Sequence, residues 1–154
     1  MREVREAVAG YRQPALRAEL AGAREMLEAA GIECRVEGEA DVLPGAVDAV
    51  LAWTVREGVT NVIRHSRARC CTIRLSQPGE EVHAEISDDG LGAPPVHDGA
   101  ATGSGLSGLS ERVAASGGDV EAGPLPEGGF RLRVSLPFRE STAPAHAERR
   151  NEWR

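Results

Sequence analysis

The chain has 154 residues, 41% of them hydrophobic and 27% charged, enough for one domain with a single core and too short for two full ones. Its 18 basic and 24 acidic residues leave a formal net charge of −6, which argues against general polyanion binding and so against nucleic acid as a partner. No run approaches the roughly 20 consecutive apolar residues of a membrane helix, and Met1–Glu6 carries both charge signs with no apolar stretch, so neither a signal peptide nor direct membrane contact is expected and the expected setting is the cytoplasm.

Residues 2–30 carry a helical pattern broken at Gln13-Pro14. Val4, Ala7 and Val8 share one face of the first piece. Leu16, Leu20, Ala23 and Leu27 recur at i, i+4, i+7 and i+11 in the second, with Gly31 as its stop. Ile32–Val36 alternates as a short strand, and Leu43-Pro44-Gly45 reads as a turn. Residues 46–66 predict the longest helix, about 30 Å at 1.5 Å per residue, with Val47, Val50, Leu51, Val55, Val59 and Val62 as its apolar stripe.

Cys71–Leu75 and Val82–Ile86 alternate as strands around the turn Gln77-Pro78-Gly79. Residues 88–105 have no apolar period and are rich in Gly, Pro, Ala and Asp, a long loop of the kind that is usually functional. A helix is expected from about Leu106 to Ala115, with Leu106, Leu109 and Val113 facing inward and Gly117-Gly118 ending it. Asp119–Ala122 and Phe130–Leu136 predict a hairpin around residues 124–129, with one sheet face buried and the other wet. Pro137 closes the fold, and residues 139–154 are expected to be a disordered tail. The order of elements predicts an α/β sandwich rather than a doubly wound parallel sheet. Cys34, Cys70 and Cys71 form neither a disulfide framework nor a zinc motif and read as free, partly buried thiols.

Three clusters carry chemistry. Glu57, Asn61, Arg64 and His65 fall at i, i+4, i+7 and i+8 of the long helix, a polar strip beside the apolar stripe. A carboxylate and an amide oxygen suit a hard cation, and Arg and His suit phosphate oxygens; taken alone, the strip also reads as a solvated helix face. Gly58 within it either permits close packing or is drift, since a mid-helix glycine costs about 1 kcal/mol against alanine. Asp88-Asp89-Gly90-Leu91-Gly92 follows directly on a strand. A carboxylate emerging there can accept a hydrogen bond from an exocyclic amine such as that of adenine, although a plain Asp-Gly turn would look the same.

Gly103-Ser104-Gly105-Leu106-Ser107-Gly108 matches G-x-G-x-x-G, but a loop rather than a strand precedes it, so it fails the context of a dinucleotide fold. Leu109 stands where a P-loop would have lysine. Glycines at a helix start still expose backbone N–H groups to an anion.

In this order the three clusters are far more specific than any one alone. The chain resembles the ATP-binding domain of the GHKL superfamily, and within it the catalytic domain of bacterial sensor histidine kinases that signal to NarL/LuxR-type response regulators. Residues Arg56–His65 match the N box, Asp88–Gly92 the first glycine box, and Gly103–Leu109 with Glu111-Arg112 the second. The resemblance covers about residues 1–138. It implies a two-layer sandwich of a mixed, largely antiparallel sheet with helices on one face, the Bergerat-type ATP-binding fold. It also implies a domain plan: the end of a dimerisation helix at 1–13, an ATP-binding catalytic domain at 14–138, and the tail beyond.

The resemblance further implies ATP and Mg²⁺ as cofactors, with Asn61 as the metal ligand and Glu57 as the catalytic acidic residue that orients or activates the attacking group. Asp88 would bind the adenine amine, Gly90 and Gly92 would shape the pocket, and Gly103, Gly105 and Gly108 would cradle the phosphates. Leu106 and Leu109 belong to the same box, and Arg64 and His65 would lie near the phosphates. The implied partners are a histidine-bearing dimerisation domain of the same kinase and a response regulator, and the implied setting includes the cytoplasmic portion of a membrane-anchored sensor.

Three departures stand beside the resemblance. The phosphoacceptor motif is absent: His65 belongs to the N box, His83 to a strand, His97 and His146 to loop and tail. The chain is therefore expected to be one part of a kinase, or a stand-alone regulatory module of the anti-sigma type. Gly58 stands where the subfamily usually has alanine. Gly129 stands where many relatives have a threonine beside the adenine, which leaves that polar contact open.

Overall fold

The computed structural model describes residues 15–91 and 104–138. The piece expected at 1–13, Gly92, Gly103 and the tail at 139–154 lie outside the described residues.

Helix α1, Leu16–Ala29, buries Leu16, Ala23 and Leu27 along the expected stripe. Its N-terminus has Ala15 at the cap position with no side-chain oxygen to offer. The orphan N–H of Leu16 instead donates to Asp48 Oδ2 at 3.0 Å, a cap supplied from another helix. At the other end Gly31 takes φ +76°, and the N–H groups of Gly31 and Ile32 donate to the carbonyls of Glu28 and Leu27. This is a Schellman closure, which glycine makes without a Cβ penalty. Strand β1, Glu33–Glu37, follows.

Helix α2, Gly45–Asn61, is buried on more than one side: Ala49, Val50, Leu51, Ala52, Thr54, Val55, Gly58 and Val59 are all buried. It packs against both α1 and the sheet, which explains a burial wider than a single amphipathic stripe. The one buried hydroxyl in its middle, Thr54, is satisfied by donating to the Val50 carbonyl at 2.8 Å. The single helix expected over 46–66 runs through, but the winding of its last turn changes. Residues Val62–Ser66 form a π-helical turn, capped by Arg67 in the left-handed region at φ +50°. Ser66 Oγ donates to the Val62 carbonyl at 2.7 Å and accepts from the Ala68 N–H at 3.1 Å. One hydroxyl thus serves the end of the turn and the exit of the chain.

Strands β2, Cys70–Ser76, and β3, Glu81–Asp88, pair antiparallel. Helix α3, Ser104–Ala115, ends at Gly117 in a second Schellman closure, Gly118 N–H to Val113 carbonyl and Gly117 N–H to Ala114 carbonyl. Strands β4, Asp119–Pro124, and β5, Phe130–Pro137, make the closing hairpin. The five strands run in the order β1-β2-β3-β5-β4, with β1 parallel to β2 and every other pair antiparallel. The expected two-layer sandwich with a mixed, largely antiparallel sheet is thus the observed one.

The two sheet faces differ as the alternation predicts. Cys71, Ile73 and Leu75, then Val82, Ala84 and Ile86, then Leu132, Val134 and Leu136 point to the helices and join Leu27, Leu51, Val55, Val59, Leu109 and Val113 in one core. The opposite face carries Glu37, Arg74, Glu85, Arg133 and Glu121 in register across all five strands, alternating in sign. Arg74 bonds Glu37 at 2.8 Å and reaches Glu85 at 3.4 Å. Exposed pairs of this kind add little stability each, but a one-residue register slip would set these charges opposite the apolar row.

Candidate functional site

The candidate site residues converge from three elements: the second half of α2 with its π-turn, the end of β3, and the first turns of α3. Parity along β3 decides which aspartate faces inward. Asp88 follows Val82, Ala84 and Ile86 to the helix side and is 8% exposed, whereas Asp89 is exposed.

Asp88 Oδ1 accepts from the Gly90 N–H at 2.8 Å, and the Phe130 backbone amide also favours the charged carboxylate. Burial pushes its pKa above the ordinary carboxylate value, with the two backbone amides pulling the other way. Asp89 has a different duty. Its Oδ1 accepts from the backbone N–H groups of Arg69 at 2.8 Å and Cys70 at 2.9 Å, and the Cys70 bond leads in holding its pKa below the usual range. Asp89 therefore ties the loop after β3 to the start of β2, while Asp88 is buried on the helix side of the sheet.

The π-turn and this loop are also joined through backbone. The Leu91 N–H donates to the Ser66 carbonyl at 2.9 Å. A Cβ on Gly90 would overlap that same carbonyl, so only glycine lets the loop pass. Gly129 fills a similar role from the hairpin: its φ is +93°, and a Cβ there would overlap the Asp88 carbonyl. A threonine cannot stand at 129 on this backbone, so the polar side-chain contact left open above is not made from that position.

From the other side, a Cβ on Gly105 would overlap the Glu57 carboxylate. The first turn of α3 thus rests directly on the N-box glutamate. Beside this contact lies a cavity of about 190 Å³ lined by Trp53, Glu57, Gly105, Gly108, Leu109 and Arg112. Leu109 is buried, and Gly105, Leu106 and Gly108 are half-buried.

Asn61 ends α2, half-buried. Arg64 and His65 are exposed on the π-turn that continues α2. Among the described residues no group of three or more His, Cys, Asp or Glu is placed to hold a metal. The donors at hand, one amide oxygen and one carboxylate a turn apart, fit a hard cation that takes its other ligands from phosphate and water.

Sequence reasoning missed four participants: Ser66, Asp89, Trp53 and Gly129 as a backbone support. Trp53 offered a weak signal, being one of only two tryptophans, set four residues before Glu57.

Residues 47–140 match the family model described as histidine kinase-, DNA gyrase B- and HSP90-like ATPase. Among curated proteins, the chain is 35% identical over 115 residues to the sensor histidine kinase YvfT of Bacillus subtilis, covering 73% of this chain and 30% of that protein. It is 30% identical over 139 residues to the sensor histidine kinase DesK of the same organism, covering 89% of this chain and 37% of the relative. The chain thus spans about a third of the length of these relatives. A solved histidine kinase domain from the blue-light activated kinase of Erythrobacter litoralis superposes with a TM-score of 0.66 at 19% identity, over 77% of this chain and 61% of that one, which shows a shared fold. With the family match spanning more than half of the chain, the chain belongs to the histidine kinase-, DNA gyrase B- and HSP90-like ATPase family.

Proposed function

We propose that residues 14–138 are the ATP-binding catalytic domain of a two-component sensor histidine kinase. The domain would pass the γ-phosphoryl of ATP to a histidine on a separate dimerisation domain, for relay to a response regulator of the NarL/LuxR type. Residues 1–13 would be the end of the dimerisation helix. The observation that carries this reading is the contact between Gly105 and Glu57, which brings the phosphate-cradling turn onto the acidic residue that the transfer needs. The relatives named above are sensor histidine kinases, which favours this reading over a stand-alone module of the anti-sigma type.

Each residue then has a task. Asp88 accepts a hydrogen bond from the adenine amine, while Gly90 and Gly92 keep the pocket open. Backbone N–H groups around Gly103, Gly105 and Gly108 hold the phosphates at the positive end of α3, with Leu106 and Leu109 anchoring that turn to the core. Asn61 would hold Mg²⁺, which when bound neutralises phosphate charge. Arg64 and His65 are solvent-facing contacts at the phosphate edge. Glu57 orients the incoming histidine nitrogen so that a P–N bond forms as the P–O bond to ADP breaks. Little covalent work falls to the protein, so positioning dominates.

The test is transfer in trans. The chain, γ-labelled ATP and a histidine-bearing dimerisation domain of the same kinase are incubated together, and label on that histidine is expected. Glu57→Gln should keep ATP binding and lose transfer. A chain that binds ATP but labels no histidine, with its partner domain folded and present, would contradict the kinase reading.

A further inference from the structure

The cavity between α2 and α3 contains a cation to which the mechanism above gives no task. The Arg112 guanidinium carbon lies 4.5 Å from the centroid of the Trp53 ring, and that of Arg56 lies 4.7 Å from the same centroid. The two arginines differ in their partners. Arg56 forms an ion pair with Glu19 of α1, whereas Arg112 makes no ion pair among the described residues. Trp53 thus holds Arg112 through its π face and leaves the guanidinium N–H groups free to donate elsewhere.

Where those donors sit decides what they can do. Trp53 and Glu57 are one turn apart on α2, and Glu57 abuts Gly105 of α3. Arg112, Glu57 and Gly105 line one cavity. A phosphoryl group held at Gly105 would share this space with the Glu57 carboxylate, and two like charges in one cavity repel. An unpaired guanidinium on the same wall offsets that repulsion, and its fork matches the oxygens of a phosphoryl group.

We infer that Arg112, presented by Trp53, contacts the terminal phosphoryl group of bound ATP. The inference rests on the ATP-binding reading above and deepens it. Arg112 is a binding residue on this account, and Trp53 a positioning residue that acts through it. The consequence is a preference for ATP over ADP, because only the terminal group reaches the cavity.

The experiment is calorimetric titration of the 154-residue chain with MgATP and with MgADP, for wild type and Arg112→Gln, with thermal unfolding run alongside. Wild type should bind MgATP more tightly. Arg112→Gln should weaken MgATP about tenfold, the effect of one charge-assisted hydrogen bond, and leave MgADP unchanged. Arg112→Lys keeps the charge without the fork and should recover part of the loss, and Trp53→Leu should show the same selective loss in smaller measure. Equal weakening of both nucleotides would mean that Arg112 only braces two helices and would overturn the inference, as would no weakening of either. A wild-type chain that binds neither nucleotide would overturn the ATP reading and this inference together.

Discussion

Gly58 of α2 lies flat against Ile86 of β3: a Cβ built on the glycine would stand 2.9 Å from Ile86 Cγ1 and 3.0 Å from Ile86 Cβ. The helix carrying Glu57 and Asn61 therefore sits closer to the strand carrying Asp88 than an alanine at 58 would permit. The distance between the helix-borne and strand-borne halves of the site is set by a residue that touches neither.

Two terms compete in Gly58→Ala. Helix propensity favours alanine by about 1 kcal/mol, while overpacking against a β-branched side chain costs about 1–3 kcal/mol. The atoms in the way belong to the root of Ile86 and cannot swing aside, so a net loss of about 1 kcal/mol is expected in urea unfolding. Combining Gly58→Ala with Ile86→Ala, which removes the obstructing Cγ1, should cost less than the sum of the two single changes. A single mutant more stable than wild type would show that the close approach is incidental.

Gly105→Ala should separate stability from binding. Its helical position in the first turn of α3 makes alanine neutral or mildly stabilising in isolation. The added methyl overlaps the Glu57 carboxylate, however, and must displace it from the first turn of α3. The expected outcome is an unfolding midpoint within about 1 kcal/mol of wild type together with nucleotide affinity reduced by about tenfold or more. Retained affinity would contradict the contact on which the proposed function rests.

The adjacent aspartates should respond to pH in opposite senses. Asp89 has a lowered pKa, so its contribution to stability is present above the ordinary value of 3.8 and is lost as pH falls through the folded value. Asp88 has a raised pKa, so its contribution is present below 3.8 and is lost as pH rises through the folded value. Asp89→Asn should therefore reduce stability at pH 7 by about 1 kcal/mol, through weakened bonds to the Arg69 and Cys70 N–H groups at an exposed site. It should also flatten the fall in stability as pH drops below 3.8, followed by circular dichroism, and an unchanged acid limb would contradict this duty for Asp89.

Cys71 lies in the same cross-strand row as Asp88, paired with it between β2 and β3 and with Cys34 between β1 and β2. Its thiol is fully buried and pushed up to about 12, chiefly by desolvation. Alkylation at pH 8 should reach the half-buried Cys34 and Cys70 well before Cys71, which should react only on unfolding. Peptide mapping by mass spectrometry reads this directly, and early modification of Cys71 would mean that the row beside Asp88 opens in solution.

Much of this arrangement was legible in the sequence, and the reasons are local. The stops at Gly31 and Gly117 follow from glycine's access to positive φ, and the inward direction of Asp88 follows from its parity with Val82, Ala84 and Ile86. The π-turn was not legible, because five residues carry no periodicity that separates i→i+4 from i→i+5. Its stabilising contacts, Ser66 carbonyl to Leu91 N–H and the passage of Gly90, come from a segment more than twenty residues away. The Trp53–Arg112 pair was hidden for the same reason: nothing in either helix alone says which turn of α3 meets which turn of α2. The requirement for glycine at 129 is likewise set by the Asp88 backbone across the sheet, not by the residues around it.

The most direct test of the account is calorimetric titration of the chain with ATP, GTP and NAD, each with and without Mg²⁺, for wild type, Asp88→Asn and Asn61→Ala. The account predicts that wild type binds ATP selectively and more tightly with Mg²⁺, that Asp88→Asn narrows the preference for ATP over GTP by about tenfold or more, and that Asn61→Ala removes the effect of Mg²⁺. Wild-type binding of NAD in place of ATP, or of no nucleotide at all, would contradict it.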